Sequence, residues 1–285
     1  MNPLAAELVS LTHQAELAAL ERVKRQQTMF ARYFPDCQPL CRRESRRRED
    51  HVGHCRVLYP KPLAFFAAGA QHRERLMLAA NRTGKTVAAA YEMACHLTGA
   101  YPTWWRGHEF DRPITAWAAG DTQLSTRDIL QAVLMGPIGT VETREWDGMI
   151  PAHFIANVTR RSGGYPLCLD TIWVSHVSGG QSTLEFRSYD QGRRVFQGTA
   201  RDLIWLDEEP PDPPVAAASS GEGNDIYTEC LMRTLETEGL IIVTFTPLRG
   251  LTPFLQAYLE SAVMTDSTGE VRPAGEAFWA DKVSA

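Results

Sequence analysis

The chain has 285 residues, 44% hydrophobic and 22% charged, the make-up of a folded globular protein with room for one large domain and a small appendage. A formal net charge of −5 excludes attraction to nucleic acid through a general cationic field and leaves only a local basic patch for that purpose. No apolar run approaches bilayer length, and Glu7, His13, Glu16, Glu21, Arg22, Lys24 and Arg25 interrupt the N-terminus, so the expectation is an intracellular protein with no membrane partner. In that setting the six cysteines are reduced and serve core packing or metal binding rather than disulfides.

Along the chain, Leu4, Leu8, Leu11, Ala15, Ala18 and Val23 recur at helical spacing and predict an amphipathic N-terminal helix. A charged insert follows, from Cys37 to Cys55, and ends in the turn-prone Tyr59-Pro-Lys-Pro62. Beyond it, short apolar runs alternate with helical stretches. Arg75–Ala80 reads as a strand and Lys85–Leu97 as the helix after it; Ile114–Ala119 reads as a second strand with a helix near Thr126–Leu134. Thr171–Val177 and Ser182–Ser188 flank a Gly-Gly turn as an antiparallel hairpin. Asp202–Leu206 and Gly239–Phe245 are two more core strands, followed by helices around Ile226–Leu235 and from Pro253 to about Ala262. A Pro/Ala/Ser/Gly-rich loop, Pro210–Gly223, separates them, and the tail after Met264 is left unassigned. This alternation predicts an α/β fold with a central, mostly parallel sheet flanked by helices.

The segment Ala79-Ala80-Asn81-Arg82-Thr83-Gly84-Lys85-Thr86 matches the phosphate-loop pattern, with Ala79 where the first glycine normally stands. It lies between an apolar strand and a helix, where backbone N–H groups and the helix N-terminus can wrap phosphates. Lys85 should reach the β- and γ-phosphates of ATP, Thr86 should ligate Mg²⁺, and Gly84 should permit close backbone approach. A chance Gly-Lys-Thr opening an ordinary helix is the bland alternative.

A second motif weighs against it. The apolar strand Leu203-Ile-Trp-Leu206 runs into Asp207-Glu208-Glu209, carboxylates that a buried strand end carries poorly unless they face a cation or a catalytic water. Asp207 is assigned to Mg²⁺ and Glu208 to polarising the attacking water, with Glu209 ambiguous. A third strand ends Val243-Thr244-Phe245-Thr246-Pro247, where Thr244 and Thr246 could sense the γ-phosphate; threonine's suitability for strands is the alternative there.

In this order the three segments, with the run Gly192-Arg-Arg-Val-Phe-Gln-Gly198 ahead of the acidic strand, resemble the large terminase subunit of tailed bacteriophages over roughly Tyr59 to Leu259. The resemblance implies a P-loop NTPase of the ASCE/RecA-like class, preceded by an N-terminal helical segment. It implies an ATP-hydrolysing motor that forms a homo-oligomeric ring on a portal protein in the host cytoplasm. That motor would work with a small terminase subunit and pump double-stranded DNA into a procapsid, with Thr244 and Thr246 in a coupling motif. The organisation read from it is 1–58 as helix and insert, 59–263 as the ATPase domain and 264–285 as tail. The family's C-terminal nuclease domain is not expected within the some forty residues after Pro247, so this chain is not expected to cut DNA. No glutamine stands at the usual distance before the phosphate loop to read adenine; Gln71 is too close.

An arginine finger should complete such a site. The candidates are Arg82 within the loop, and Arg193, Arg194 and Arg201 ahead of the acidic strand, with Arg82 and Arg194 the leading pair. A helicase of two RecA-like lobes would need a longer chain, and a small-molecule kinase would need neither the acidic strand end nor the Thr-Phe-Thr strand. A nucleotide-binding assembly module with weak hydrolysis, which Ala79 could signal, is the non-enzymatic alternative. In the insert, Cys37-x₃-Cys41 followed by His51, His54 and Cys55 is compatible with tetrahedral Zn²⁺, with Cys37, Cys41, His54 and Cys55 as ligands. It lacks a paired Cys-x₂-Cys of recognised spacing. Cys95, Cys168 and Cys230 read as core, and Arg42–Arg48 as a solvated loop or a DNA-phosphate contact.

Overall fold

The computed structural model describes residues 32–37, 39–42, 45, 47–51, 53, 55–138, 147–211, 225–261, 264–265 and 271–272. The expected N-terminal helix, His54 and most of the loop 210–223 lie outside the described residues.

Apart from a separate two-stranded ladder of Met264–Thr265 with Val271–Arg272, the strands among the described residues are β1 (Glu74–Leu78), β2 (Thr115–Gly120), β3 (Ile155–Arg160), β4 (Leu169–Ser175), β5 (Gln181–Ser188), β6 (Leu203–Asp207) and β7 (Leu240–Phe245). They form one sheet in the order β1-β7-β6-β2-β5-β4-β3. The first five in that order are parallel, and β4 and β3 continue as an antiparallel edge. β7 thus lies between the strand that feeds the phosphate loop and the strand that ends in carboxylates. The β4–β5 hairpin stands as expected, turning at Gly179 and Gly180, both at positive φ. β3 escaped the sequence reading because Ile155-Ala-Asn-Val-Thr-Arg160 is an edge strand with little buried surface and hence no apolar run.

The helices are α1 (Pro60–Ala68), α2 (Lys85–Thr98), α3 (residues 123–135), α4 (Ile226–Thr234) and α5 (Pro253–Ser261). The middle of α3, Thr126–Gln131, is π-helical. α1 corrects an expectation: Tyr59-Pro-Lys-Pro62 was read as a turn, yet proline fits the first turn of a helix, where its missing N–H has no partner to lose.

Period two along the central strands sorts the core. Leu203, Trp205, Leu240 and Ile242 pack on the side of α2, while Ile204, Leu206, Ile241, Val243 and Phe245 pack on the side of α4. The same alternation sends Asp207 and Thr244 to the α2 side. Helix α2 is locked to β1 by a buried pair: Arg75 Nη2 donates to Glu92 Oε1 at 2.6 Å and Arg75 Nη1 to Oε2 at 3.2 Å. Burial pushes the Glu92 carboxyl up, but Arg75 and His96 outweigh it and hold the group below its usual range. This pair braces the two elements between which the phosphate loop is strung.

Candidate nucleotide-binding site

The loop 79–84 runs from the end of β1 into Lys85, the first residue of α2. Ala80 to Gly84 are exposed, while Lys85 is 8% exposed. Gly84, the N-cap of α2, sits at φ 90°, a region that side-chain-bearing residues rarely adopt, and Arg82 also lies at positive φ, 62°. Ala79 does not take a positive φ, so the missing first glycine removes no conformation that this loop uses.

Lys85 Nζ donates to Ala79 O and Ala80 O, both at 3.0 Å, and to Thr246 Oγ1 at 2.8 Å. Thr246 Oγ1 in turn donates to Asn81 Oδ1 at 2.8 Å. Burial lowers the Lys85 pKa, while Glu208 and Asp207 oppose that shift and favour the charged ammonium. The loop lysine and the end of the β7 strand are therefore in direct contact.

Asp207 is the second centre. Its Oδ1 accepts from Thr244 Oγ1 at 2.6 Å and from Thr86 Oγ1 at 3.3 Å, and Trp205 Nε1 donates to Thr244 Oγ1 at 2.9 Å. Strand register explains the grouping, since Asp207 and Thr244 are paired neighbours on β6 and β7. Burial drives the Asp207 pKa up to about 6; the Thr244 hydrogen bond opposes the shift and the Glu208 charge adds to it.

Glu208 is exposed and leaves the strand at φ 68°. That left-handed backbone is sustained by Glu208 N donating to Thr244 O at 2.8 Å and by Tyr189 Oη donating to Glu208 O at 3.0 Å. Strain held in place by its surroundings is a recurrent feature of active sites. Tyr189 was not anticipated; it follows β5 in a short turn, and no local sequence pattern marks it as a neighbour of a strand end nearly twenty residues away. Glu209 turns from the cluster: its carboxylate accepts from Thr252 Oγ1 and from Arg249 Nη2, and Thr252 Oγ1 accepts Leu255 N at the start of α5. The ambiguous third carboxylate thus ties the acidic strand end to the helix after β7.

The arginines separate clearly. Arg201 is buried, stacks over the Trp117 ring at 4.5 Å and donates to Glu185 Oε1 at 2.8 Å, which withdraws it from the finger candidates. Arg201→Ala should lower stability by about 1–3 kcal/mol with nucleotide affinity unchanged, as measured by urea unfolding and a binding titration. Arg193 lies 3.6 Å from Glu229, whereas Arg194 and Arg82 are exposed. Gln71 is exposed in the turn before β1, and nothing places it at a base.

The raised pKa of Asp207 has a consequence for stability. A carboxyl with a folded pKa near 6 against 3.8 unfolded stabilises the fold while protonated, and that contribution is lost as pH rises through about 6. Asp207→Asn keeps an acceptor for Thr244 and Thr86 without the charge. In chelator-treated protein it should be more stable than wild type at pH 8 by up to about 3 kcal/mol, with the advantage vanishing near pH 4. Thermal melts at the two pH values measure this; equal advantage at both would contradict the burial account of Asp207.

The profile of the family described as terminase large subunit, T4likevirus-type, N-terminal matches residues 76–282. The chain is similar to the terminase large subunit of Salmonella phage P22, 31% identical over 239 residues, a match that covers 78% of this chain and 45% of that protein. It therefore spans less than half the length of that relative. Among solved structures it is similar to the large terminase ATPase domain of Thermus phage P74-26, with 17% identity, a TM-score of 0.43 and coverage of 72% of this chain and 70% of that one. Similarity to the large terminase of bacteriophage HK97 is at 15% identity and a TM-score of 0.38, covering 76% and 37% of the two chains. The match across residues 76–282 takes in the phosphate loop, the acidic strand end and the strand of Thr244, and the chain belongs to the T4likevirus-type terminase large subunit family.

Proposed function

We propose that this chain binds and hydrolyses ATP as the motor domain of a viral DNA-packaging terminase, coupling each turnover to translocation of double-stranded DNA into a procapsid. The observation that carries the proposal is the convergence of Lys85, Thr86, Asp207, Glu208 and Thr246 at the C-terminal ends of β1, β6 and β7. The loop 79–86 would hold the phosphates, with Lys85 on the β- and γ-oxygens. Hard oxygen donors suit Mg²⁺, and a buried carboxylate beside a second acid is relieved by a cation; Asp207 and Thr86 fit that role. Mg²⁺ there would neutralise charge on the phosphates. Glu208, exposed at the mouth of the site, would accept a hydrogen bond from the attacking water and take its proton.

The coupling device in this reading is the Lys85–Thr246 hydrogen bond. Phosphates that recruit Lys85 compete with Thr246, and Thr246 lies six residues before Thr252, which Glu209 holds at the start of α5. Loss of the γ-phosphate would return Lys85 to Thr246 and shift that helix. Arg82 in cis, or Arg194 from a neighbour in a ring on the portal, would neutralise the remaining charge. Residues 59–263 form the ATPase domain in this reading, and the small terminase subunit and duplex DNA are its partners. A host-cytoplasmic setting follows from the same proposal.

Phosphate release from ATP, measured with and without duplex DNA, tests the motor. Turnover stimulated several-fold by duplex DNA is the expected result. Turnover that ignores DNA under every assembling condition would favour the alternative of a nucleotide-binding assembly module.

A further inference from the structure

The described residues of the insert between residues 32 and 58 have almost no hydrophobic core of their own. From Phe34 on, regular structure among them amounts to two three-residue turns of 3-10 helix, Arg48–Asp50 and Arg56–Leu58. Among its described residues, four are buried: Phe34, Cys41, His51 and Cys55. Phe34 belongs to the main core, where its ring meets those of Tyr59, Phe66, Tyr91 and Trp104. The insert's own buried groups, among the described residues, are therefore two thiols and an imidazole, with the half-buried Cys37 beside them. Segments this small and this polar hold one conformation when a metal or disulfide staples them.

The donor atoms of Cys37, Cys41, His51 and Cys55 all lie within 4.8 Å of one another. Cys41 Sγ and Cys55 Sγ are 3.5 Å apart, and Cys37 Sγ is 3.6 Å from His51 Nδ1. With Zn–S near 2.3 Å and Zn–N near 2.0–2.1 Å, a tetrahedron places two sulfurs about 3.8 Å apart and a sulfur and a nitrogen about 3.6 Å apart. A disulfide would require about 2.05 Å. The imidazole is also fixed in the ligating form. His51 Nε2 lies 2.7 Å from Ser45 O, an acceptor only, so the proton sits on Nε2 and the Nδ1 lone pair faces the thiols. Ser45 is itself held, its hydroxyl donating to Asp50 Oδ2 and its N–H to Arg42 O at 2.9 Å.

We propose that Cys37, Cys41, His51 and Cys55 bind one structural Zn²⁺ that staples the insert to the face of the ATPase core through Phe34. The proposal takes His51 as the fourth ligand where the sequence expectation took His54, which lies outside the described residues. Spacing alone could not choose between two histidines three residues apart; the Ser45 carbonyl, which orients the ring, is a tertiary feature. All four positions are taken by protein, as in structural and not catalytic zinc sites. Binding deprotonates the three thiols, leaving a net charge of about −1 on the Cys₃His–Zn²⁺ group, and Arg48 Nη1 donates to the carbonyl of the ligand His51 at 3.0 Å.

The test is metal content by elemental mass spectrometry on the full chain purified without chelator, paired with Co²⁺ exchange followed by absorbance. About one Zn²⁺ per chain and a thiolate-to-Co²⁺ charge-transfer band are expected in wild type. His54→Ala and the buried control Cys95→Ser should keep the metal, His51→Cys should keep it as a Cys₄ site, and His51→Ala should bind at least about 10-fold more weakly. Absence of both Zn²⁺ and the Co²⁺ band from soluble wild-type protein would overturn the proposal, as would a Cys41–Cys55 disulfide found by peptide mapping. Metal lost in His54→Ala but retained in His51→Ala would overturn the ligand set. The wild-type readouts decide the matter even if single-ligand variants fail to fold.

Discussion

Lys85→Ala should reduce ATP turnover by at least about 10²–10³-fold while leaving the fold intact. The ammonium is the buried cation of the loop, where Arg82 is exposed, and removing a positioned charge from a developing phosphoryl transition state typically has an effect of about that size. The fold should survive because Lys85 contributes little to it. Its three hydrogen bonds go to two loop carbonyls and to Thr246, and burial works against its charge. Circular dichroism and unfolding midpoints close to wild type, together with phosphate release near background, are the expected pair of results. Turnover at the wild-type rate in a well-folded Lys85→Ala variant would remove the phosphate-loop assignment.

The second large effect separates binding from chemistry. Glu208→Gln keeps the shape and the left-handed backbone position but loses the carboxylate. Nucleotide affinity should hold within about two- to threefold, while hydrolysis falls by about 10²-fold or more, the usual consequence of losing a general base. Asp207→Asn should do the reverse at the binding step. Asp207 faces Thr86 and Thr244 from the end of β6, so its loss should weaken Mg²⁺-dependent binding of nucleotide and leave Mg²⁺-independent binding little changed. Titration of a fluorescent nucleotide with and without Mg²⁺, run beside a phosphate-release assay, distinguishes the two. Identical behaviour of the two variants would show that the carboxylates do not divide the labour in this way.

The parts of this molecule that could be read in the sequence are those whose signal is local. Three strands of the parallel sheet lead into the motifs read from the sequence: Ala79 to Thr86 follow β1, Asp207 closes β6 with Glu208 after it, and Thr244 lies on β7 with Thr246 just beyond its end. Chain order alone, however, does not set β7 between β1 and β6, and that placement is what brings Thr246 to Lys85 and Thr244 to Asp207. Glu209 was ambiguous because its partner Thr252 lies more than forty residues on. Arg201 was indistinguishable from a finger until Trp117 and Glu185 were seen to enclose it. α1 was hidden by its two prolines and β3 by its exposure, both cases in which composition points away from the structure that packing selects.

The most direct test of the site is a crystal structure of the Glu208→Gln variant grown with ATP and Mg²⁺, read at one distance, Lys85 Nζ to Thr246 Oγ1. That contact is 2.8 Å here. With the triphosphate cradled by residues 79–86, Lys85 should leave Thr246 for the β- and γ-phosphate oxygens, opening the gap beyond hydrogen-bond reach, about 3.5 Å or more. A nucleotide bound elsewhere, or a triphosphate in the loop with Lys85 still on Thr246, would contradict both the assignment of the site and the coupling drawn from it.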